Sequence, residues 1–494
     1  MHDQMRIRAS LARVAARSKG GASYPPGMSA DSPPPPLRFQ DPALAGLVQR
    51  MAEAIEQAGG RAYVVGGSVR DALLGRLAGD ADLEVYGIAP ESLERLAAQF
   101  GSVHLVGKQF AVLHLATDAG TIELALPRLE SKTGPGHRGF AVEARPDLDP
   151  REAVQRRDFT VNAMLLDPLD GRLLDFVDGR RDLERGVLRH VSPAFREDPL
   201  RALRAARFAA RFGWSIARET SALCRSLDLA ELPLERIENE WRRMLVESAF
   251  PGRGLLAMEE VGGLRLLPEL AQLRGVPQDP VWHPEGDVLH HTALALDAAV
   301  RIRDEMEDPF VEMLAVLCHD LGKATTTRFE RGRWRSPAHD TGGEELTRQL
   351  LARLSRRADL ADAVVPLVRE HLRPAQLYFV RDEIKDATLR RLASRVDLRA
   401  LVRIAWADSA GRALPDADNW PPGVWLLERA DALGVADEAP RPWLRGQDLI
   451  ELGWPAGKEI GKLLAEGFER QLDGEFSDRE AALAWLRAQP RPTA

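Results

Sequence analysis

Cysteine is nearly absent from this chain, with two residues in 494, Cys224 and Cys318, far apart. That excludes a disulfide scaffold and a cysteine-built zinc site, and it suits a reducing cytoplasm. No apolar run approaches the length of a membrane span, so no transmembrane helix is expected. An excess of positive charge is missing too. The formal net charge is −7, so the chain is no generic polyanion binder, and any nucleic-acid contact must come from a local basic surface. Internal repeats are also lacking. What remains is an ordinary globular balance, 45% hydrophobic and 29% charged residues, in a chain too long for one core.

Residues 1–40 are rich in Arg, Ala and Ser and then in Pro. Such a composition buries no core and is expected to stay disordered. From Asp41 the pattern turns regular. "DPALAGLVQRMAEAIEQAGG" has helical period, with proline at its start and glycines at its end. "RAYVVGG" is a short strand stopping at Gly66 and Gly67, and "SVRDALLG" opens a helix. "DADLEVYG", "FAVLHLAT" and "TIELAL" read as strands, "APESLERLAAQFG" as a helix. This is an α/β head. After about Arg180 strand signals nearly vanish and Leu/Ala/Arg-rich helices follow. The expected segments are the tail 1–40, a head 41–180, a helical neck 181–280, a further helical domain 281–412 and a C-terminal helical tail 413–494.

Chemistry gathers in the head. Asp80 and Asp82 are two apart, and an extended strand sends i and i+2 to one face. Two carboxylates there call for a cation, and a hard divalent ion prefers oxygen. Alone, such a pair is usually a solvated acidic turn. Glu123, inside an apolar strand, is costly unless paired or ligating; an edge-strand salt bridge, to Arg128 for example, is the plainer reading. If the strands are neighbours, three carboxylates converge and can hold two divalent ions for phosphoryl or nucleotidyl transfer. Gly66, Gly67 and Ser68 form a glycine turn into a helix, which offers backbone N–H groups to phosphate, and Arg70 stands one turn further. Arg201, Arg204, Arg207 and Arg211 fall at helical spacing on one face, with Glu197 and Asp198 in the first turn. A solvated basic stripe is the common meaning of such a run.

"GGSVRD" followed by "DAD" resembles the first motif of the class II tRNA nucleotidyltransferase and bacterial poly(A) polymerase family, whose superfamily includes DNA polymerase beta. "RRDFTVNAM", Arg156–Met164, is similar to the family's ribose and triphosphate motif. "RHVSPAFREDPLRALRAARFAARFG", Arg189–Gly213, resembles its base-selecting motif. "RLESKTGPGHRGF", Arg128–Phe140, resembles the flexible loop of CCA-adding enzymes. The resemblance runs in order over about 230 residues. It implies an α+β multidomain fold, a polymerase-beta-like mixed-sheet head on a long all-α body. It implies that Asp80 and Asp82, with Glu123, hold two magnesium ions, that Arg157 meets the triphosphate and that Asp158 accepts from the ribose. Asn162 would order the backbone there. Asp198 and Arg201 would select cytosine or adenine without a template, with Arg204 and Arg207 holding phosphate or supporting that array.

The second half carries "FVEMLAVLCHDLGK", an apolar helix ending in His319-Asp320. This resembles the HD phosphohydrolase superfamily. "GDVLHHTALALDAAV" supplies His290 and His291, "IAWADSAGR" supplies Asp408, and His339 and His371 are further candidates. The expected ligands are His291, His319, Asp320 and Asp408, with Ni²⁺, Mn²⁺ or Mg²⁺ activating water on a phosphoester. Cys318 reads as core. "RGQDLIELGWPAGKEIGKLLAEGFERQLDGEFSDREAALAWLRA" reads as two or three helices around a Gly-Trp-Pro turn; in relatives such helices lie along tRNA.

The resemblance implies a cytoplasmic enzyme, monomer or homodimer, adding CMP and AMP to the tRNA 3′ end from CTP and ATP, with an HD module acting on phosphomonoesters or 2′,3′-cyclic phosphates. Three alternatives are weighed against it: a poly(A) polymerase, which "LVGKQFAVLHL" partly suggests although Gln109 replaces an expected basic residue; a partial enzyme adding only C or only A; and an HD phosphohydrolase with a vestigial head.

Overall fold

The computed structural model describes residues 34–35, 37–106, 112–132, 140–415 and 419–490. The tail segment 1–33, Gln109 and residues 133–139 of the expected loop lie outside the described residues. Two compact units divide the chain, Met1–Leu267 and Pro268–Ala494. The first unit takes in the head and most of the expected neck.

The first unit is built on a seven-stranded mixed sheet. Helix α1 (Pro42–Gln57) starts where Asp41 accepts from Ala43 N, and it buries Leu44, Leu47, Val48, Met51 and Ile55 on one face. That spacing of apolar residues is what lets a helix lie on a sheet. Strands β1 (Arg61–Val65), β2 (Ala81–Tyr86), β3 (Ser102–Val106), β4 (Val112–Thr117), β5 (Gly120–Ala125), β6 (Leu165–Leu166) and β7 (Leu173–Leu174) lie in the order β3-β4-β5-β2-β1-β6-β7. All pairs are antiparallel except β2 with β5, which are parallel. In β2, Ala81, Leu83 and Val85 are fully buried while Asp82 and Glu84 alternate with them on the half-buried face. The period of two, which assigned this strand from sequence, thus divides core from site.

Five short strands escaped the sequence reading. The strand β3 precedes β4 as a hairpin partner, β6 and β7 have two residues each, and Arg128–Lys132 pairs with Phe140–Ala144. Two-residue strands carry too little pattern to be read, and their pairing comes from neighbours. Glu197 and Asp198 also sit differently from expectation. They precede the helix instead of lying in its first turn: Pro193–Glu197 is a 3₁₀ segment, and helix α2 begins at Leu200 and runs to Phe212.

The second unit is helical apart from one small hairpin, Arg328–Glu330 with Arg333–Arg335. Its main helices are α3 (Val288–Ala299), α4 (Pro309–Cys318), α5 (His339–Leu354), α6 (Leu360–Glu370) and α7 (Leu398–Gly411). In α4 every residue from Phe310 to Cys318 is buried, as an all-round apolar helix requires. Cys318 is core: it is buried and free, and burial pushes its thiol pKa up. Glu312 on the same helix is held by two hydrogen bonds from Arg403 on α7, at 2.7 and 2.8 Å. The C-terminal segment forms three helices, Gly446–Glu451, Lys458–Asp473 and Arg479–Arg487, around a small core of Leu444, Leu449, Trp454, Phe476 and Leu486. No described helix is long and apolar enough to cross a membrane.

Candidate active sites

In the first unit the parallel register sets Asp82 beside Glu123, so this adjacency follows from strand order, while the groups of three donors within 4.8 Å of one another among the described residues lie at the histidines of the second unit. Asp80 lies one residue before β2, where its carbonyl accepts a 2.8 Å hydrogen bond from Ser68 Oγ. Ser68 thereby ties the glycine turn to the acidic strand. The Asp82 carboxyl is pushed up to about 6 by burial first and then by Glu123 and Asp80. Repulsion of this kind is what a bound cation would relieve. Glu123 lies 3.3 Å from His114 on β4. Its strand sits between β4 and β2, so the edge-strand pairing with Arg128 gives way to an interior strand with an imidazole partner.

Gly66 bridges the turn with φ +69°, and a Cβ there would meet Arg157 Nη1 at 3.7 Å and Asp82 Oδ2 at 3.8 Å. The left-handed backbone favours glycine here. Arg157 is held by Glu84 at 2.7 Å, so its guanidinium stays next to the acids without neutralising Asp82 outright.

A chain of buried polar contacts then leads to α2. Arg70 donates to Asn162 Oδ1 at 2.7 Å, and Asn162 Nδ2 donates to Asp158 Oδ1 at 3.0 Å. Arg204 donates twice to Asp158 Oδ2, at 2.9 and 2.6 Å. Burial lowers the Arg70 pKa to about 10, yet it stays charged, stacked against Phe208 and Phe212 at 5.4 and 4.8 Å. Both Asp158 oxygens are therefore occupied within the protein, Oδ1 also by Phe159 N. Arg201 donates to two backbone carbonyls, of Ala194 at 2.9 Å and Arg156 at 2.6 Å. Asp198 accepts from Leu200 N at 3.1 Å and from Arg236 at 2.9 Å, while Glu197 pairs with Arg156 at 2.6 Å.

These side chains surround a cavity of about 490 Å³ whose lining holds nine arginines against three aspartates. The arginine face of α2 turns into that cavity instead of into open solvent. Arg207 is the most enclosed, 3% exposed, with Glu240 at 2.5 Å. Removing one partner of such a pair strands a buried charge. Arg207→Ala is therefore expected to destabilise the protein by about 3–5 kcal/mol, and the double change Arg207→Met/Glu240→Leu by far less. Urea unfolding of the three proteins measures this.

In the second unit the vicinal His319-Asp320 closes α4. His319, His339 and His371 each turn Nδ1 to a backbone carbonyl, of Val316, Ser336 and Val368, at 2.7, 2.7 and 2.6 Å. That fixes Nδ1 as the protonated nitrogen and leaves Nε2 as the lone-pair donor. His291 achieves the same through Glu285, 2.7 Å from its Nδ1. His291 Nε2 then lies 3.3 Å from His319 Nε2 and 3.0 Å from Asp408 Oδ1. Asp320 reaches both sides, 3.2 Å from His319 Nε2 and 3.3 Å from His339 Nε2. Three overlapping donor sets result, His283–Glu285–His291, His291–His319–Asp320 and Asp320–His339–His371. His371 Nε2 is buried without a hydrogen-bond partner, and burial with the neighbouring His319 and His339 lowers its pKa to about 3. Imidazoles, carboxylates and an unpartnered nitrogen converging in this way fit a metal ion with N/O preference.

His290 does not join. It is exposed, and its backbone N takes the Asp287 cap. Glu285, Lys323 (2.7 Å from Asp320) and Arg412 (3.0 Å from Asp408) were not singled out from sequence. They support ligands across the fold, and only the His–Asp pair and its followers had a readable order. Gly322 has a positional reason: a Cβ there would lie 2.0 Å from the His339 carbonyl, so the close approach that seats His339 beside Asp320 admits no side chain.

The model of the poly A polymerase head domain matches residues 62–189, and that of the HD domain residues 288–412. The chain is 38% identical to the multifunctional CCA protein of Alkalilimnicola ehrlichii over 452 residues, 88% of this chain and all of that one. It is 39% identical to that of Xylella fastidiosa strain M23 over 423 residues, 82% of this chain and 95% of that one. Among solved structures, a CCA-adding enzyme with ATP aligns with TM-score 0.59 at 23% identity, covering 92% of this chain and 96% of the other. The Thermotoga maritima CCA-adding enzyme complexed with tRNA aligns with TM-score 0.56 at 22% identity, covering 91% and 96%. With one identity near two fifths running the full length of its relative, and both domain models falling on the two clusters described, this chain belongs to the multifunctional CCA protein family.

Proposed function

We propose that the first unit is a template-independent tRNA nucleotidyltransferase that adds CMP and AMP to the tRNA 3′ end from CTP and ATP. The single observation that carries this reading is the juxtaposition of the Asp82–Glu123 carboxylates with the arginine-lined cavity of α2. Asp80, Asp82 and Glu123 would hold magnesium. When bound, it supplies charge neutralisation of the triphosphate and a lowered pKa for the attacking 3′-hydroxyl. The protein's own part is positioning. Arg157, braced by Glu84, faces the phosphates, and the Arg70–Asn162–Asp158–Arg204 chain keeps α2 at a set distance from the acids. Asp158 acts on this reading by holding Arg204. Affinity for tRNA would rest on phosphate and shape, and so fall with salt.

The test is incubation of the purified protein with tRNA lacking its CCA end, offering each nucleoside triphosphate separately. Incorporation of C and then A supports full CCA addition; A alone, C alone or a long A tract points to the partial or poly(A) alternatives. The names of the relatives favour the first. Base choice is assigned to Asp198 and Arg201, which their contacts hold still in the free protein. Asp198→Ala frees Arg236 and loosens that array. The expected result is a tenfold or greater relaxation against UTP and GTP, at about 1–3 kcal/mol per lost matched pair. Competition assays read the ratio, and an unchanged ratio with a slower rate would make Asp198 purely structural.

Protons compete with the ion at Asp82. Its raised pKa of about 6 means that below that pH the carboxylate is protonated and lost as a ligand. The magnesium needed for half-maximal addition should rise as pH falls through about 6, and a flat requirement from pH 8 to 5 would remove Asp82 from the ion site.

For the second unit we infer a metal-dependent phosphohydrolase. His291, His319, Asp320 and Asp408 would hold one ion, and His339 and His371 with Asp320 widen the set. The metal supplies an activated water for attack on phosphorus. Lys323 and Arg412 hold the two aspartates ionised and in place. Buried free cysteines and the absence of a membrane-spanning helix among the described residues support a cytoplasmic setting.

A further inference from the structure

Over the histidine cluster opens a cavity of about 410 Å³, lined by Asp320, His339, His371 and Asp408 at its floor and by Trp282, Trp334, Arg333 and Arg335 toward its mouth. The mouth is unusual for a soluble surface. Trp282 is 55% exposed and Trp334 37%, with Phe329 beside it 60% exposed. Exposed large aromatics in one place usually serve binding.

The local fold explains why Trp334 stands out. The strands Arg328–Glu330 and Arg333–Arg335 pair Phe329 directly with Trp334. Their connection is a two-residue turn with positive φ at Arg331 (51°) and Gly332 (78°), the tight form whose twist suits a hairpin. The two rings meet edge to face at 5.2 Å. The hairpin contributes no residue to the buried core, yet it fixes one indole at the rim of a metal-type site. Arg335 and Arg412 add positive charge to the same lining, Arg412 while it holds Asp408 at 3.0 Å. Arg335 Nε and Arg412 Nε are buried with no hydrogen-bond partner among the described residues, and both side chains line the cavity. An unmatched buried guanidinium N–H is costly unless a ligand satisfies it.

Aromatic faces at the mouth, arginine N–H groups in the lining and metal donors at the floor match one chemistry: a ribonucleotide whose phosphate reaches the floor while its base stacks at the mouth. We propose that Trp334, with Trp282, is the base platform of the second site and makes it selective for phosphoesters of nucleosides over phosphoesters lacking a base. This rests on the phosphohydrolase reading of that site. The base is served equally by a free nucleotide or by an RNA end, which the test separates.

The test compares nickel-loaded full-length protein on two matched secondary-alcohol monoesters, adenosine 2′-monophosphate and glycerol 2-phosphate. Trp334→Ala should raise KM for the nucleotide about tenfold or more, with kcat nearly unchanged, because stacking is made equally in ground and transition states. Its kinetics on glycerol 2-phosphate should not move. Trp334→Phe should restore most of the loss, and Trp282→Ala should act in the same direction. Equal effects of Trp334→Ala on both esters, or none on the nucleotide, would overturn the platform. A third arm offers adenosine 2′,3′-cyclic phosphate and a short RNA ending in that group; in either case Trp334→Ala should weaken use, and the better wild-type substrate names the source. If wild type hydrolyses neither monoester, the phosphohydrolase reading fails, and equilibrium dialysis of intact adenosine 2′-monophosphate then decides the platform: a dissociation constant at least about tenfold weaker in Trp334→Ala supports it, equal constants refute it. The exposed position of Trp334 leaves folding intact in each variant.

Discussion

Asp82→Ala should lower nucleotide addition by about a thousandfold or more while the protein stays folded. A metal site contributes several kcal/mol of transition-state charge stabilisation, and each 1.4 kcal/mol or so is a factor of ten. The loss falls on the rate and not on the fold, for a reason visible in β2. Asp82 is paired with Glu123 of β5, the next residue, Leu83, is paired with both β1 and β5, and the Asp82 side chain lies on the half-buried face, outside the core of Ala81, Leu83 and Val85. Without a bound ion the wild-type carboxylate is held against burial, Glu123 and Asp80. Removing it relieves that repulsion, so thermal stability in chelator should be equal or higher. Asp80→Ala should lose addition to a similar degree. The decisive measurement is single-turnover CMP incorporation alongside a melting curve. Near-normal incorporation by Asp82→Ala would take the residue out of the catalytic set, and loss of both activity and folding would leave its role undefined by that variant but testable with Asp82→Asn.

His319→Ala should separate the two activities. Its side chain is 1% exposed and touches Asp320, Asp408 and His291, each within 3.9 Å. All of these partners belong to the Pro268–Ala494 unit. Phosphoester hydrolysis should fall by about three orders of magnitude, the scale of losing a ligated metal, and nickel binding by dialysis should weaken in step. CMP and AMP addition should stay within about twofold of wild type, because no residue of the Asp82 cavity belongs to that unit. Substituting a buried histidine leaves a void, so Asp408→Asn, which keeps volume and removes charge, serves as the companion variant. Collapse of addition together with hydrolysis, in folded protein of both variants, would show that the sites are not independent.

The motifs were legible because each is local. A glycine pair before a helix, acids two apart at the start of a strand, arginines at steps of three and four, and His next to Asp at a helix end each lie within or directly beside one element, where local backbone geometry sets the face. Alternation in "DADLEVYG" and the apolar run of "FVEMLAVLC" likewise carried strand and helix directly into β2 and α4. Glu123 marks the limit. Its isolation in an apolar strand was visible, but whether it met Asp82 or an arginine depended on β5 pairing parallel to β2 and not at an edge. The same holds for Asp158, whose two oxygens are claimed by Asn162, Phe159 and Arg204, and for Arg207, whose partner Glu240 is 33 positions away. Glu285, Lys323 and Arg412 complete the histidine site without any spacing that announces them, and His290 is excluded although it adjoins His291, because α3 turns successive residues to different sides. By itself the sequence determined which groups exist and which face of its own element each one occupies, since backbone geometry repeats over a few residues. Only the tertiary structure decided which of those faces meet, since hydrogen bonds and ion pairs between elements depend on strand order, helix packing and the space left where glycine replaces a side chain.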